Sequence, residues 1–383
     1  MKKQVKNSHS RLKKYSVLLA LVGLIVASIS AASANQKRSG LYLLSSGNLS
    51  KQQVDLLVHQ FAGKPHKDFR DFCLSIYNSS SIMLTGQQKD AIARFALKQE
   101  LSGPQREIVF RILGIYSQLK YGGEAIKSLG ELVEVPTVSS RRGSRSQFKK
   151  AVKILKKKSK KFGLKFQPLK DGGYLMSFPW RKPEGASVAI YTRLGVHEAD
   201  ERKWTLSNGQ KVDPYRMTKV GSKFYGRGTQ SNKNAIVAAM YAMRVIVEEN
   251  IRLFNDIKLI VDVGNGFDHY STQVESPMYF ASYDGNYPVE LPKDSAEFAQ
   301  SLWVRALMEV ALESLDMPDQ AIPASFNGDG GLNAKVLQFG LSHPKKVNLT
   351  SSPLEHMDLD SFLLDLQIVT EMIVRTGQMR RLE

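Results

Sequence analysis

The chain has 383 residues and a formal net charge of +18, with 54 Lys and Arg against 36 Asp and Glu. Its single cysteine, Cys73, excludes an intramolecular disulfide framework and reads as a buried structural thiol. A balance this basic bears on solubility and on steering toward anionic partners more than on fold.

The first segment carries Lys2, Lys3, Lys6, Arg11, Lys13 and Lys14, then a charge-free apolar run from Val17 to Ile29, then small residues ending Ala32-Ser33-Ala34. That pattern predicts a secretory signal over residues 1–34, cut after Ala34. The run of about 13 residues falls short of the ~20 that a spanning helix needs, and an uncleaved signal tethering the protein to the inner membrane is the alternative. Cleavage removes six positive and no negative charges, so +18 becomes +12. The expected location is outside the cytoplasm, in the periplasm.

Residues 35–120 read as a small helical region. Apolar residues at three- and four-residue spacing predict helices from Gln52 to Phe61, Lys67 to Tyr77, Gln87 to Leu97 and Pro104 to Leu119, punctuated at Gly63 to Pro65 and Ser102 to Pro104. No charged or histidine cluster here suggests chemistry. From residue 121 to 383 helices and strands alternate: a helix over 124–136 stopping at Pro136, a helix over about 146–161, strands near Tyr174 to Ser177 and Val188 to Thr192, a helix from Asn234 to Asn250, and strands from Ile257 to Val263 and Met278 to Ser282. The alternation predicts an α/β fold, a three-layer sandwich with a mostly parallel sheet. The helix over 146–161 is dense in lysine (Lys149, Lys150, Lys153, Lys156, Lys157, Lys158, Lys160 and Lys161). A solvated helix face is the ordinary reading, and an anionic envelope surface is the partner such a stripe would otherwise fit. Nucleic acid is not expected, because export removes it as a routine partner and no aromatic residues interleave with the lysines.

Several stretches in a fixed order carry a resemblance. They are Glu124 to Val138, with its Val135-Pro136-Thr137 turn; Val188 to Val196; Trp204; Asp213-Pro214-Tyr215; Phe224 to Asn234, containing Gly226-Arg227-Gly228; Ile257 to Gly266; Tyr283 to Val289; Gly328 to Gly340; and Ser351 to Glu355. Covering about 230 residues, they resemble the zinc metallopeptidase family of aminoacylase, carboxypeptidase G and the carnosinase-like Xaa-His dipeptidases. The resemblance implies a zinc-peptidase type of sandwich and a site with two zinc ions, a bridging carboxylate and a general-base Glu.

Carried over position by position, that site degenerates. The first His ligand falls on Arg193 and its supporting Asp on Gly195; the bridging Asp falls on Ser231 and its acidic neighbour on Asn232. The general base falls on Asn265, the adjacent ligand Glu on Gly266 and the last His ligand on Ser351, so that only Asp284 matches a ligand position. A guanidinium cannot ligate a cation, and an amide has no accessible pKa for base catalysis. Metal and cofactor are therefore not expected, and Arg193 is expected to stand in for the lost cation by pairing with Asp284. A relocated metal site would have to draw on His197, Asp200, Asp268, His269, Glu355 and His356. The family's lid insertion also looks missing, since only 36 residues separate Pro288 from Ser325 and Ala296 to Leu315 reads as one helix. The leading functional expectation is an exported, non-catalytic homologue that binds a peptide or protein ligand or acts as a scaffold. The alternatives are a zinc hydrolase with an unorthodox site, and a basic binder of membrane or envelope surfaces through Lys149, Lys153, Lys156, Lys157 and Lys160.

Overall fold

Reciprocal caps start the helical region. Ser50 accepts the Gln53 N–H while the Gln53 side chain accepts the Ser50 N–H, opening α1 (Lys51–Phe61). α2 (Phe69–Tyr77) follows, with Cys73 buried and its thiol pushed up by burial, and then α3 (Gly86–Ala96), opened by the same box between Thr85 and Gln88. The computed structural model describes residues 48–180, 185, 187–264, 278–282, 335–339, 349 and 352–379.

α4 (Gly103–Val133) is one helix of 31 residues where the sequence reading placed two helices, ending at Leu119 and starting at Glu124. The expected boundary between the helical region and the α/β part, near residue 120, therefore falls inside it. Eleven consecutive residues, Ile108 to Gln118, are buried. A helix buried on all sides is a central one. α1, α2 and α3 contact α4, as do α6 (Asn232–Glu248) and α7 (Leu359–Gln378), and one apolar cluster runs from Leu49 to Val374. Gly122 and Gly123 do not break the helix.

Close approach explains one glycine. A Cβ on Gly114 would lie 2.8 Å from Glu371 Cγ and 3.0 Å from the Gln367 carbonyl on α7, whereas a Cβ on Gly123 would meet nothing within 4 Å. Gly114→Ala is accordingly expected to destabilise by about 1–3 kcal/mol through overpacking, although alanine is the better helix former. Gly123→Ala is expected to stabilise by about 0.5–1 kcal/mol, so opposite shifts in urea midpoint check the pair.

α5 (Ser144–Lys161) leads to a six-stranded sheet in the order β1-β2-β6-β3-β7-β8. The strands are β1 (Lys165–Pro168), β2 (Tyr174–Ser177), β3 (Ser187–Arg193), β6 (Asp256–Asp262), β7 (Met278–Ser282) and β8 (Lys335–Phe339). The sheet is mixed rather than mostly parallel: β6, β3, β7 and β8 pair in parallel, while β1 with β2 and β2 with β6 run antiparallel. β1 reaches β2 through a short turn, too short for the crossover that parallel neighbours need. β4 (Thr218–Val220), β5 (Lys223–Tyr225) and β9 (His356–Asp358) form a second, antiparallel sheet.

α6 packs on β3 and β6, and α7 packs on α6 and α4. These helices form one layer over the sheet. The region expected to show the lid's absence, between Pro288 and Ser325, and the helix expected from Ala296 to Leu315 lie outside the described residues. So does the expected signal segment. Among the described residues no helix is long and apolar enough to cross a membrane.

Candidate functional site

Three segments meet beyond the carboxyl ends of β3 and β6, the position where open α/β sheets bind ligands. The Val135-Pro136-Thr137 turn is tied to the chain after β3, because Thr137 Oγ1 donates to the Leu194 carbonyl at 2.7 Å and the Val196 N–H donates to the Thr137 carbonyl at 2.9 Å. The first turn of α6 joins them. Lys233, fully buried, donates from Nζ to the Val135 carbonyl at 2.7 Å, and Asn232 Nδ2 donates to the Gly195 carbonyl.

A cavity of about 250 Å³ lies between these segments, lined among others by Ser139, Arg193, Gly195, His197, Asn232 and Asp262. Arg193 and Asp262 are register partners on β3 and β6, with Arg193 Nε 4.0 Å from Asp262 Oδ2. Asp262 is 1% exposed; it accepts the Tyr191 hydroxyl on Oδ2 at 2.6 Å and the Gly264 N–H on Oδ1 at 2.6 Å. The Arg193 side chain is about half exposed, at 54%. Asn232 is buried, and its Oδ1 has no hydrogen-bond partner among the described residues.

Beside the cavity, the second sheet and the chain before β9 enclose Glu355, which is fully buried. Leu354, at a positive φ of 61°, turns the chain into this position, an uncommon backbone for a branched residue. Glu355 Oε1 accepts the Gly228 N–H at 3.0 Å, the Gln230 N–H at 3.2 Å and the Ser231 hydroxyl at 3.1 Å, and Oε2 accepts Arg227 Nη1 at 3.2 Å. Arg227 also donates to the Ser352 carbonyl, takes the Pro214 carbonyl on its own N–H, and lies 5.2 Å over the Trp204 ring. Gly228 holds φ at 91°, and a Cβ there would come within 2.9 Å of the Lys233 side chain. The Asp-Pro-Tyr, Gly-Arg-Gly and final Glu motifs thus meet in one buried polar knot. Burial pushes Glu355 up to about 7 despite these donors, and burial lowers Lys233 to about 7, opposed by the charge of Glu355.

No family model matches the sequence, and no curated protein is significantly similar to it. Solved structures do match. The neighbours include metallopeptidases. Human carnosine dipeptidase 1 is similar at 19% identity over 48% of this chain and 42% of its own, with a TM-score of 0.40. The M20 family metallo-carboxypeptidase Sso-CP2 from Sulfolobus solfataricus is similar at 17% identity over 44% of this chain and 38% of its own, with a TM-score of 0.35. Aminopeptidase PepT from Bacillus cereus is similar at 11% identity over 67% of this chain and 99% of its own, with a TM-score of 0.42. The chain spans less than half the length of the first two.

Of the residues singled out in the sequence, Arg193, Gly195, Ser231 and Asn232 do come together around the cavity and the start of α6. Asn265, Gly266, Asp284 and Ser351 lie outside the described residues, and with them the expected Arg193 to Asp284 pair. The carboxylate found next to Arg193 is Asp262, which sequence reasoning missed; its place at the carboxyl end of a strand that pairs with β3 was the available signal. His197 is exposed, Asp200 pairs with its neighbour Arg202, and His356 lies against the Tyr225 ring on β9. Asp268 and His269 lie outside the described residues.

At the three described positions where the resemblance implies zinc contacts, the side chains do not suit a two-zinc centre: Arg193 brings a guanidinium, Ser231 a hydroxyl committed to Glu355, and Asn232 an amide nitrogen committed to Gly195. Glu198, at the cavity wall, is taken by Arg141 at 3.0 Å. Among the described residues no group of three or more His, Cys, Asp or Glu is arranged to hold a metal ion.

Proposed function

We propose that this chain is an exported, peptidase-like protein that binds its ligand without hydrolysing it. The observation that carries the reading is Arg193, a fixed positive charge at the cavity where the resembling family needs a neutral metal-binding imidazole. Ser231 and Asn232 support it, because the Ser231 hydroxyl is engaged by Glu355, the Asn232 amide nitrogen by the Gly195 carbonyl, and neither side chain offers a charged bridge. A polar ligand entering the cavity meets the Arg193 guanidinium and the Asn232 Oδ1 acceptor, while nothing among these groups generates a nucleophilic water.

Purification in zinc-supplemented buffer followed by elemental analysis is expected to find no stoichiometric zinc, with no cleavage of dipeptides or N-acylated amino acids. Stoichiometric zinc together with hydrolysis that a chelator abolishes would overturn the reading in favour of an unorthodox hydrolase.

A further inference from the structure

α5 divides its residues with unusual sharpness. At 100° per residue, Ala151, Leu155 and Ser159 fall on one side and are buried against the core. Lys149, Lys150, Lys153, Lys156, Lys157 and Lys160 are exposed and fall within roughly 120° on the opposite side. The two remaining lysines pair with acids on α4: Lys158 with Glu131 at 2.8 Å and the exposed Lys161 with Glu124 at 2.6 Å. None of the six outward lysines makes an ion pair among the described residues, and α5 itself contains no acidic residue.

Elsewhere on the surface acids interleave with bases, as in Lys51 with Asp55, Arg94 with Asp90 and Lys258 with Asp256. A solvated helix face needs no such segregation. Like charges this close repel, and a fixed partner of opposite sign relieves the repulsion more fully than mobile counterions do. Lys165, on the edge strand β1 that follows α5, is also exposed.

We propose that the outer face of α5 is a docking surface for a bilayer bearing anionic phospholipid headgroups. A straight helix of 18 residues is about 27 Å long and presents its lysines to a plane, which matches a membrane surface. Exposed positions among the lysines hold Arg145 and Ser146 and no aromatic residue, so the face lacks the stacking platform that single-stranded nucleic acid uses. This surface is independent of the cavity and of any hydrolysis.

Sedimentation of the full-length chain with phosphatidylcholine vesicles, with and without phosphatidylglycerol, tests the surface. The apolar segment over residues 1–34 and its six basic residues contribute equally in parent and variants, so the change that substitutions within α5 make in the phosphatidylglycerol-dependent affinity reads the lysine face. The double variant Lys153→Glu with Lys157→Glu is expected to lose at least about tenfold of the phosphatidylglycerol-dependent affinity. Lys64→Glu with Lys89→Glu, an equal change in net charge at exposed positions between α1 and α2 and on α3, is expected to stay within about twofold of the parent. Raising salt from about 0.15 M to about 1 M shortens the screening length from about 8 Å to about 3 Å and should abolish the difference. Unchanged urea midpoints establish that the variants fold. Equal losses in both variants, no preference for phosphatidylglycerol, or retention by polyanionic polymers alone would each overturn the proposal.

Discussion

Replacing Arg111 by methionine is expected to lower the stability of the fold by about 3–5 kcal/mol, read as a large fall in urea midpoint at neutral pH. Arg111 on α4 meets Glu371 on α7, Nε to Oε2, at 2.9 Å, with side chains 2% and 0% exposed. The methionine keeps most of the apolar stem, so the loss isolates the charge. Glu371 would then lose its close cation, with Arg375 Nη2 more distant at 3.6 Å and Gln367 Nε2 neutral at 3.0 Å. A buried carboxylate stripped of its close cation carries its full desolvation cost. The double variant Arg111→Met with Glu371→Leu removes both charges and leaves Arg375 paired with Glu107. It should recover more than half of the loss, because apolar replacement of a buried pair is close to neutral. A double variant no more stable than the single one would show that the pair contributes more than mutual compensation.

The stability of the parent chain should pass through a minimum near pH 7. Glu355 is raised from 4.5 to about 7, chiefly by burial, so between those values the folded state holds a proton that the unfolded state has released. Its contribution is complete below about pH 4.5 and is lost as pH rises through 7. Lys233 is lowered from 10.5 to about 7, again chiefly by burial, so between those values the unfolded state holds the extra proton. Stability therefore climbs again from about pH 7 toward 10.5. Shifts of this size are worth on the order of 3–5 kcal/mol per limb. Denaturant titrations between pH 5 and 10 check the shape. Lys233→Met should erase the alkaline limb and Glu355→Gln the acidic one; a flat parent profile, or an alkaline rise that survives in Lys233→Met, would refute the assignment.

Both effects arise where charges are enclosed. α4 and α7 press together at Gly114 without room for a Cβ, and the knot around Glu355 is closed by Trp204, Arg227 and a backbone turn at Leu354. Asp213-Pro214-Tyr215, Gly226-Arg227-Gly228 and Glu355 are in this chain partly a structural device. They position the start of α6 beside the cavity whether or not chemistry takes place there.

Local pattern was enough to reveal part of this protein. Period-two and apolar runs marked β2, β3, β6 and β7 in place, and three- and four-residue spacing marked α1, α2, α3 and α5, because burial of one face imprints itself on nearby residues. The residue types at Arg193, Ser231 and Asn232 were also legible, since a side chain's ligating chemistry needs no coordinates. Tertiary structure alone decided the rest. The unbroken course of α4 through Gly122 and Gly123 depends on helices packed around it, and the antiparallel start of the sheet depends on β1 folding back on β2. The pairing of Arg111 with Glu371 spans 260 positions of sequence, and Glu355 reaches Gly228 across 127. Asp262 becomes the neighbour of Arg193 only through strand register. Contacts at such separations leave no periodic trace in the chain, because they are selected by the burial of charge in the folded core rather than by the conformational preferences of adjacent residues.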